Sequence, residues 1–168
     1  MPLTILHGDL LACGEPVLVC PTNGVGVMGA GLAKAFAHRF PGLESLHLSA
    51  CRRREHDAGH PIVWHGPWSS GSDAMYGPGG GRWPVVVCVA TKRRWQEPSR
   101  LADVADGAAA LKRLCAANGW RRIAVPALGC GLGGLSLDAV LPILKATFAD
   151  DAVHAVLVLP LSAPTPLE

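Results

Sequence analysis

The chain has 168 residues and a mass of 17.5 kDa, enough to bury roughly two-thirds of its unfolded surface around one core without disulfide or metal staples. Apolar residues make up 49% and charged residues 17%, which excludes a disordered chain and the like-charged arms of strongly basic nucleic-acid binders. The net charge is +2, so an anionic partner has to be held by a local patch and not by the field of the whole molecule. No run of about 18 apolar residues is present, and MPLTILHGDLLACGE has neither a basic leader nor a small-residue cleavage site, so no membrane association and a cytoplasmic location are expected. Cysteines at 13, 20, 51, 88, 115 and 130 form no CxxC pair; Cys20, Cys88 and Cys115 sit in apolar runs and read as small hydrophobes.

In chain order, VLVCP at 17–21 reads as a strand, followed by a helix near 29–40 and a basic turn, CRRREHDAGH, at 51–60. IVWH at 62–65 is a second strand. The stretch 66–84 is a Gly/Pro-rich inserted surface loop or lid, with Trp64, Trp68, Tyr76 and Trp83 in or beside it expected to pack it down in preference to presenting their rings to a ligand. VVVCVA at 85–90 is a strand. A helix follows, with Leu101, Val104, Ala108, Leu111, Leu114 and Cys115 at helical spacing, Ser99 placed to cap it and Gly119 to end it. RIAVPAL, a helix near 137–148 and VHAVLVL complete the pattern. The strands are nearly continuous apolar runs, as helices on both faces of a mixed, mostly parallel sheet require, so a three-layer α/β domain over 1–160 is expected. Residues 161–168 read as a tail, whose final Leu167-Glu168 has the look of an appended pair.

Open α/β sheets bind ligands beyond the carboxyl ends of their strands. Two of those ends are glycine-rich: PTNGVGVMGAGLAKAF after VLVC, and ALGCGLGGLSLDAV after RIAVP. Residues without a β-carbon let main-chain N–H groups approach phosphate oxygens, and the helix behind each loop adds a favourable dipole, so the pair suggests a bound diphosphate. Gly24, Gly26 and Gly29 also spell GxGxxG, which brings a dehydrogenase into view. The ribose-binding acid expected about 20 residues further on is replaced by LHLSACRRR. Arg52, Arg53 and Arg54 there leave an NADP enzyme as an alternative; neither loop ends in the Gly-Lys-Ser/Thr of a P-loop.

HGDL at 7–10, PTNGVGVMGAGLAKAFAHRFP at 21–41, VATKRRW at 89–95 and VPALGCGLGGL at 125–135 resemble the macrodomains, a family that binds ADP-ribose. The likeness runs from about residue 3 to 159. It is to the branch holding the terminal ADP-ribose protein glycohydrolase and the antitoxin macrodomains that remove ADP-ribose from thymine bases of DNA. The resemblance implies a three-layer α/β/α macrodomain and an ADP-ribosyl hydrolase acting on mono-ADP-ribosylated carboxylate side chains or on thymine. It implies no cofactor and no metal, ADP-ribose and mono-ADP-ribosylated protein or DNA as partners, and a monomer; a toxin partner stays unspecified. A non-catalytic ADP-ribose reader is the alternative, with a phosphatase or deacetylase of ADP-ribose derivatives behind it.

Carried over by motif, Asp9 accepts from the adenine amine while the main chain at Leu10 frames the base. Asn23 binds the distal ribose. Gly24, Val25, Gly26, Val27, Met28, Gly29 and Gly31 surround the distal ribose and phosphate. Leu128, Gly129, Cys130, Gly131, Leu132, Gly133 and Gly134 hold the diphosphate from the other side. Lys92 is the catalytic candidate. Lys34, Lys112 and Lys145 fall on predicted helices, whereas Lys92 stands at a strand's carboxyl end, where the residue alone reads as a phosphate partner or an exposed lysine and the resemblance makes it act on the ribose. The glutamate-directed relative carries an acid in the register of Gly133; GCGLGGL has none, like the DNA-directed antitoxins. Asp138 reads as a surface residue and Cys130 as a small loop residue. Gly59 and Pro61 oppose a metal site built from Cys51, His56 and His60. Arg93, Arg94, Arg100 and Arg52–Arg54 read as solvated surface, or as contacts to nucleic-acid phosphates or to the acidic surface of a modified protein, and Trp95 as packed surface or a stacking platform for an extruded base.

Overall fold

The computed structural model describes residues 3–67 and 81–161. Among them, six strands form one sheet: β1 (Leu3–His7), β2 (Val17–Asn23), β3 (Ile62–Trp64), β4 (Val85–Lys92), β5 (Arg122–Val125) and β6 (His154–Leu159). Their order is β1-β6-β5-β2-β4-β3; every neighbouring pair is parallel except the edge strand β3, which runs antiparallel to β4. Four α-helices flank the sheet: α1 (Gly31–Arg39), α2 (Leu43–Arg52), α3 (Leu101–Asn118) and α4 (Leu137–Thr147).

Strand side chains alternate between faces, and both faces are covered. Val17, Val19, Val87 and Val89 pack with Val104, Leu111, Leu144 and Phe148 on the α3/α4 side. Leu18, Cys20, Val86 and Cys88 pack with Phe36, Phe40 and Leu43 on the α1/α2 side. This is why the strands read as unbroken apolar runs, and it makes the expected three-layer α/β architecture the observed one. Trp64 and Trp83 pack edge-on at 5.5 Å, with Phe40 beside both, so these two rings do secure the base of the inserted loop. Trp68 and Tyr76 lie outside the described residues.

Three details depart from the sequence reading. β1 was not expected: it is a short edge strand with Ile5 and Leu6 exposed, and Leu3 alone of its apolar residues packs against the core, so no alternating core face can be read from it. Helix α2 takes the first two residues of the expected basic turn; its buried stripe is Leu43, His47 and Ala50, and the histidine in the middle hides the apolar period. Ser99 is not the cap of α3. Arg100 holds the N-cap position without a side-chain bond, while the Ser99 N–H donates to Gly133 O (2.9 Å) and its hydroxyl is buried without a partner among the described residues. Gly119 does end α3, at φ +69°.

The topology positions the cleft. β2 leads to α1 on one face of the sheet, and its neighbour β5 leads to α4 on the other. Adjacent strands whose outgoing chains part to opposite faces open a crevice between their carboxyl ends.

Candidate functional site

Both glycine loops border this crevice. Residues 24–30 leave β2 and residues 126–136 leave β5, while Lys92 ends β4 on the far side of β2 and Asp9 follows β1. The two loops meet: a β-carbon on Gly31 would lie 3.0 Å from Leu132 Cδ1. Val25, Val27, Gly29, Gly31, Gly131, Leu132 and Gly134 are exposed along the rim, whereas Gly26, Met28, Leu128, Gly129 and Gly133 are buried beneath it, with Gly24 and Cys130 between.

The first loop is shaped by one side chain. Asn23, 6% exposed, accepts through Oδ1 from the N–H groups of Val25, Gly26 and Val27 (3.1, 3.0 and 3.3 Å) and donates through Nδ2 to Val27 O (2.7 Å). Its amide therefore builds the loop, and of the groups expected to reach a ribose only one Nδ2 hydrogen is left over. The bend needs Gly26, at φ +89°, where a β-carbon would meet Leu48 Cδ1 at 2.6 Å and Leu48 Cα at 3.0 Å. No side chain caps α1, so the N–H groups of its first turn have no partner within the helix. They point to where an anion is best stabilised.

Beneath that loop lies a buried polar cluster that sequence reasoning missed. His47 Nε2 donates to Asn23 O (2.8 Å). His56 donates from Nδ1 to His60 O (2.9 Å), which fixes Nε2 as acceptor for the Thr22 hydroxyl (2.7 Å). Burial holds both histidines below their ordinary value near 6.5, with His56 brought down to about 4. They are neutral braces for the loop. His56 has both ring nitrogens engaged, and His60 pairs with Asp57 (2.6 Å), so the metal alternative finds no assembled ligand set among the described residues. The only sequence signal was the helical spacing of His47 from Leu43 and Ala50.

The second loop turns through Gly129 (φ +78°), Gly131 (φ +64°) and Gly134 (φ +79°). Bonds from Cys130 N to Ala127 O, Gly133 N to Cys130 O, Gly134 N to Gly131 O and Leu135 N to Gly129 O close it. The N–H groups of Gly131 and Leu132 at the start of this turn are left without a chain partner among the described residues. Cys130 is half-buried, and burial pushes its thiol up from the usual range, which suits a small loop residue and not a nucleophile. Asp138 is exposed in the first turn of α4.

Lys92 bridges the pieces. Its Nζ donates to Leu132 O (2.8 Å) and, at longer range, to Trp95 O (3.5 Å), so the amine is tethered to the second loop while its own carbonyl accepts from Gly24 N of the first (3.1 Å). Two of the three ammonium donors are occupied, and one is available to a ligand. Arg93 is turned away to Asp103 (3.4 Å). Lys112, by contrast, pairs with Asp150 (2.6 Å) on the surface. Asp9 is exposed: Oδ1 caps the short 3-10 turn Leu10–Ala12 by accepting from Leu11 N (2.9 Å), and Oδ2 is unengaged among the described residues.

The profile of the Macro domain family matches residues 19–144. The chain belongs to the macro domain family. It is 33% identical over 138 residues to the DNA ADP-ribosyl glycohydrolase of Mycobacterium tuberculosis, a match covering 82% of this chain and 36% of that protein. The macrodomain of Mycobacterium tuberculosis DarG superposes with a TM-score of 0.81 at 31% identity, covering 94% of this chain and 97% of that one. Thermosipho africanus DarTG, solved in complex with ADP-ribose, superposes with a TM-score of 0.82 at 27% identity, over 97% of this macrodomain and 43% of the larger chain. The chain thus spans little more than a third of the curated DNA ADP-ribosyl glycohydrolase it matches.

Proposed function

We propose that this macrodomain is an ADP-ribosyl hydrolase that binds ADP-ribose across its two glycine loops and releases it from thymine bases of DNA. The observation that carries the reading is Lys92, tethered by Leu132 O at the meeting point of the loops with one donor to spare. Free main-chain N–H groups of α1 and of the 131–133 turn suit the diphosphate from either side, and Asp9 Oδ2 is an acceptor for the adenine amine. Likeness to proteins named as DNA ADP-ribosyl glycohydrolases supports the substrate class.

In the reaction, the bond from the anomeric carbon of the distal ribose to the base breaks. Water adds its hydroxyl to that carbon and its proton ends on the base, giving free ADP-ribose and unmodified thymine. Lys92 donates its free N–H to a hydroxyl of the distal ribose and holds the anomeric carbon in line with the attacking water, a positioning role. A covalent lysine adduct is disfavoured because residues 126–135 carry no carboxylate to resolve it. The test presents mono-ADP-ribosylated thymidine oligonucleotide and mono-ADP-ribosylated glutamate protein side by side. Release from the oligonucleotide, reduced about a hundredfold or more in Lys92→Ala with ADP-ribose still bound, upholds the reading. Release from the protein alone redirects the substrate class, and tight ADP-ribose binding with both substrates intact makes the domain a reader.

A further inference from the structure

We infer that the exposed Trp95 indole and the arginines around it form a rim that grips the single strand on either side of the modified base. This rests on the thymine-DNA reading above and extends it from the nucleotide pocket to the strand.

Two chain segments meet at the cleft mouth. The 93–100 segment is fastened to both loops: Trp95 O accepts from Lys92 Nζ, Arg93 O accepts from Gly24 N (3.2 Å), and Ser99 N donates to Gly133 O. The turn after α2 is fastened beside it. The Cys51 thiol reaches Asn23 O (3.6 Å), and the β-carbon position of Gly24 lies 3.1 Å from Arg93 O and 3.9 Å from His56 O. Between them, residues 51–57 and 93–100 hold six arginines against Glu55, Asp57 and Glu97, while the whole chain is only +2. The rest of the molecule is therefore slightly negative, and the positive charge is concentrated at the cleft. Arg53 is paired with Glu55 and Arg93 with Asp103; Arg52, Arg54, Arg94 and Arg100 have no ion pair among the described residues.

An aromatic ring accompanies this charge. Trp95 is 55% exposed, three residues from the lysine that marks the reacting sugar, and none of the described aromatic rings packs on it. A flat indole among unpaired guanidinium groups fits a base stacked beside a phosphate backbone, which is how single strands are held without sequence reading. An acidic protein surface would use the arginines but would leave the indole without a partner, so DNA is the better fit.

The test compares turnover of an ADP-ribosylated single-stranded oligonucleotide with that of the ADP-ribosylated nucleoside, in the full chain and in Trp95→Ala and Arg94→Ala/Arg100→Ala. For the oligonucleotide, KM should rise about tenfold in each variant, and the slope of log affinity against log salt should become shallower by about 0.7 for each phosphate that the variant no longer neutralises. Nucleoside turnover should stay within about twofold, because the nucleoside does not reach the rim. Equal losses on both substrates, or no loss on either, overturn the inference. Should the unaltered protein hydrolyse neither DNA substrate, the thymine reading falls. The rim is then judged by fluorescence anisotropy of unmodified oligothymidylate: weaker binding in both variants upholds it and unchanged binding overturns it.

Discussion

Gly129→Ala separates packing from backbone geometry in the second loop. Gly129 and Gly134 share nearly the same left-handed backbone, φ +78° and φ +79°, so a methyl group at either bears the same conformational cost, about 1–2 kcal/mol. They differ in surroundings. A β-carbon on Gly129 would stand 2.8 Å from Leu135 Cδ1, 2.9 Å from Val104 Cγ2 and 3.3 Å from Ser99 Cβ, whereas one on Gly134 meets nothing within 4 Å. Val104 is fully buried in the α3 face of the core, so the crowding cannot be relieved by a side chain swinging into solvent. Forcing a methyl into such a site costs about 1–3 kcal/mol more, which places Gly129→Ala at about 2–5 kcal/mol and Gly134→Ala at about 1–2 kcal/mol. Against the roughly 5–15 kcal/mol that holds a domain folded, the first is severe and the second mild. Urea unfolding followed by circular dichroism and tryptophan fluorescence reads both, with unchanged m-values expected. A difference between the two variants below about 0.5 kcal/mol would refute the claim that the root of the loop is wedged against α3.

Ser99→Ala should leave stability unchanged or raise it by about 1 kcal/mol, since it deletes a buried hydroxyl that has no partner among the described residues. Gly133→Ala, whose β-carbon would press against that hydroxyl oxygen, should cost about 1–3 kcal/mol alone and clearly less in the Ser99→Ala background; additivity in the double-mutant cycle would contradict the geometry. The folded-state value of His56 lies below its unfolded one, so its contribution is complete above about pH 6.5 and is lost as pH falls toward 4. Between pH 7.5 and pH 5 this removes about 2 kcal/mol, measured as the drop in unfolding free energy that disappears in His56→Gln. Asp9→Ala should weaken ADP-ribose binding about tenfold by calorimetry; Asp9→Asn, which keeps the turn's acceptor, should leave the fold intact while still weakening the nucleotide.

The layered fold was legible because each central strand is buried on both faces, which leaves unbroken apolar runs that nothing but helices on either side can produce. The glycine loops were legible as loops for a related reason: Gly26 and Gly129 sit where neither φ nor the packing admits a side chain. What supports the loops was not legible. His47 and His56 act through bonds to Asn23 O and Thr22 Oγ1 across 24 and 34 residues, and such contacts leave no local period to read. Ser99 failed as a cap for the same reason, since its N–H is drawn to Gly133 O on a loop that comes much later in the chain.

Asn23 shows what that distinction means for mechanism. The family resemblance makes this position a ribose ligand, and an amide free to contact a sugar would have to reorganise as it bound. In the fold its Oδ1 already gathers three N–H groups, and Nδ2 closes the turn on Val27 O. The ordering cost of the first loop is thereby met during folding, before any nucleotide arrives, and an amide that is already fixed loses little further freedom on binding. The same holds for Lys92, whose long side chain is immobilised by Leu132 O at a point where both loops can act on one sugar. On the proposed reading, a cleft built this way offers the distal ribose donors already in place, and this preorganisation, more than the number of glycines, lowers the ordering cost of binding and fixes the geometry that hydrolysis requires.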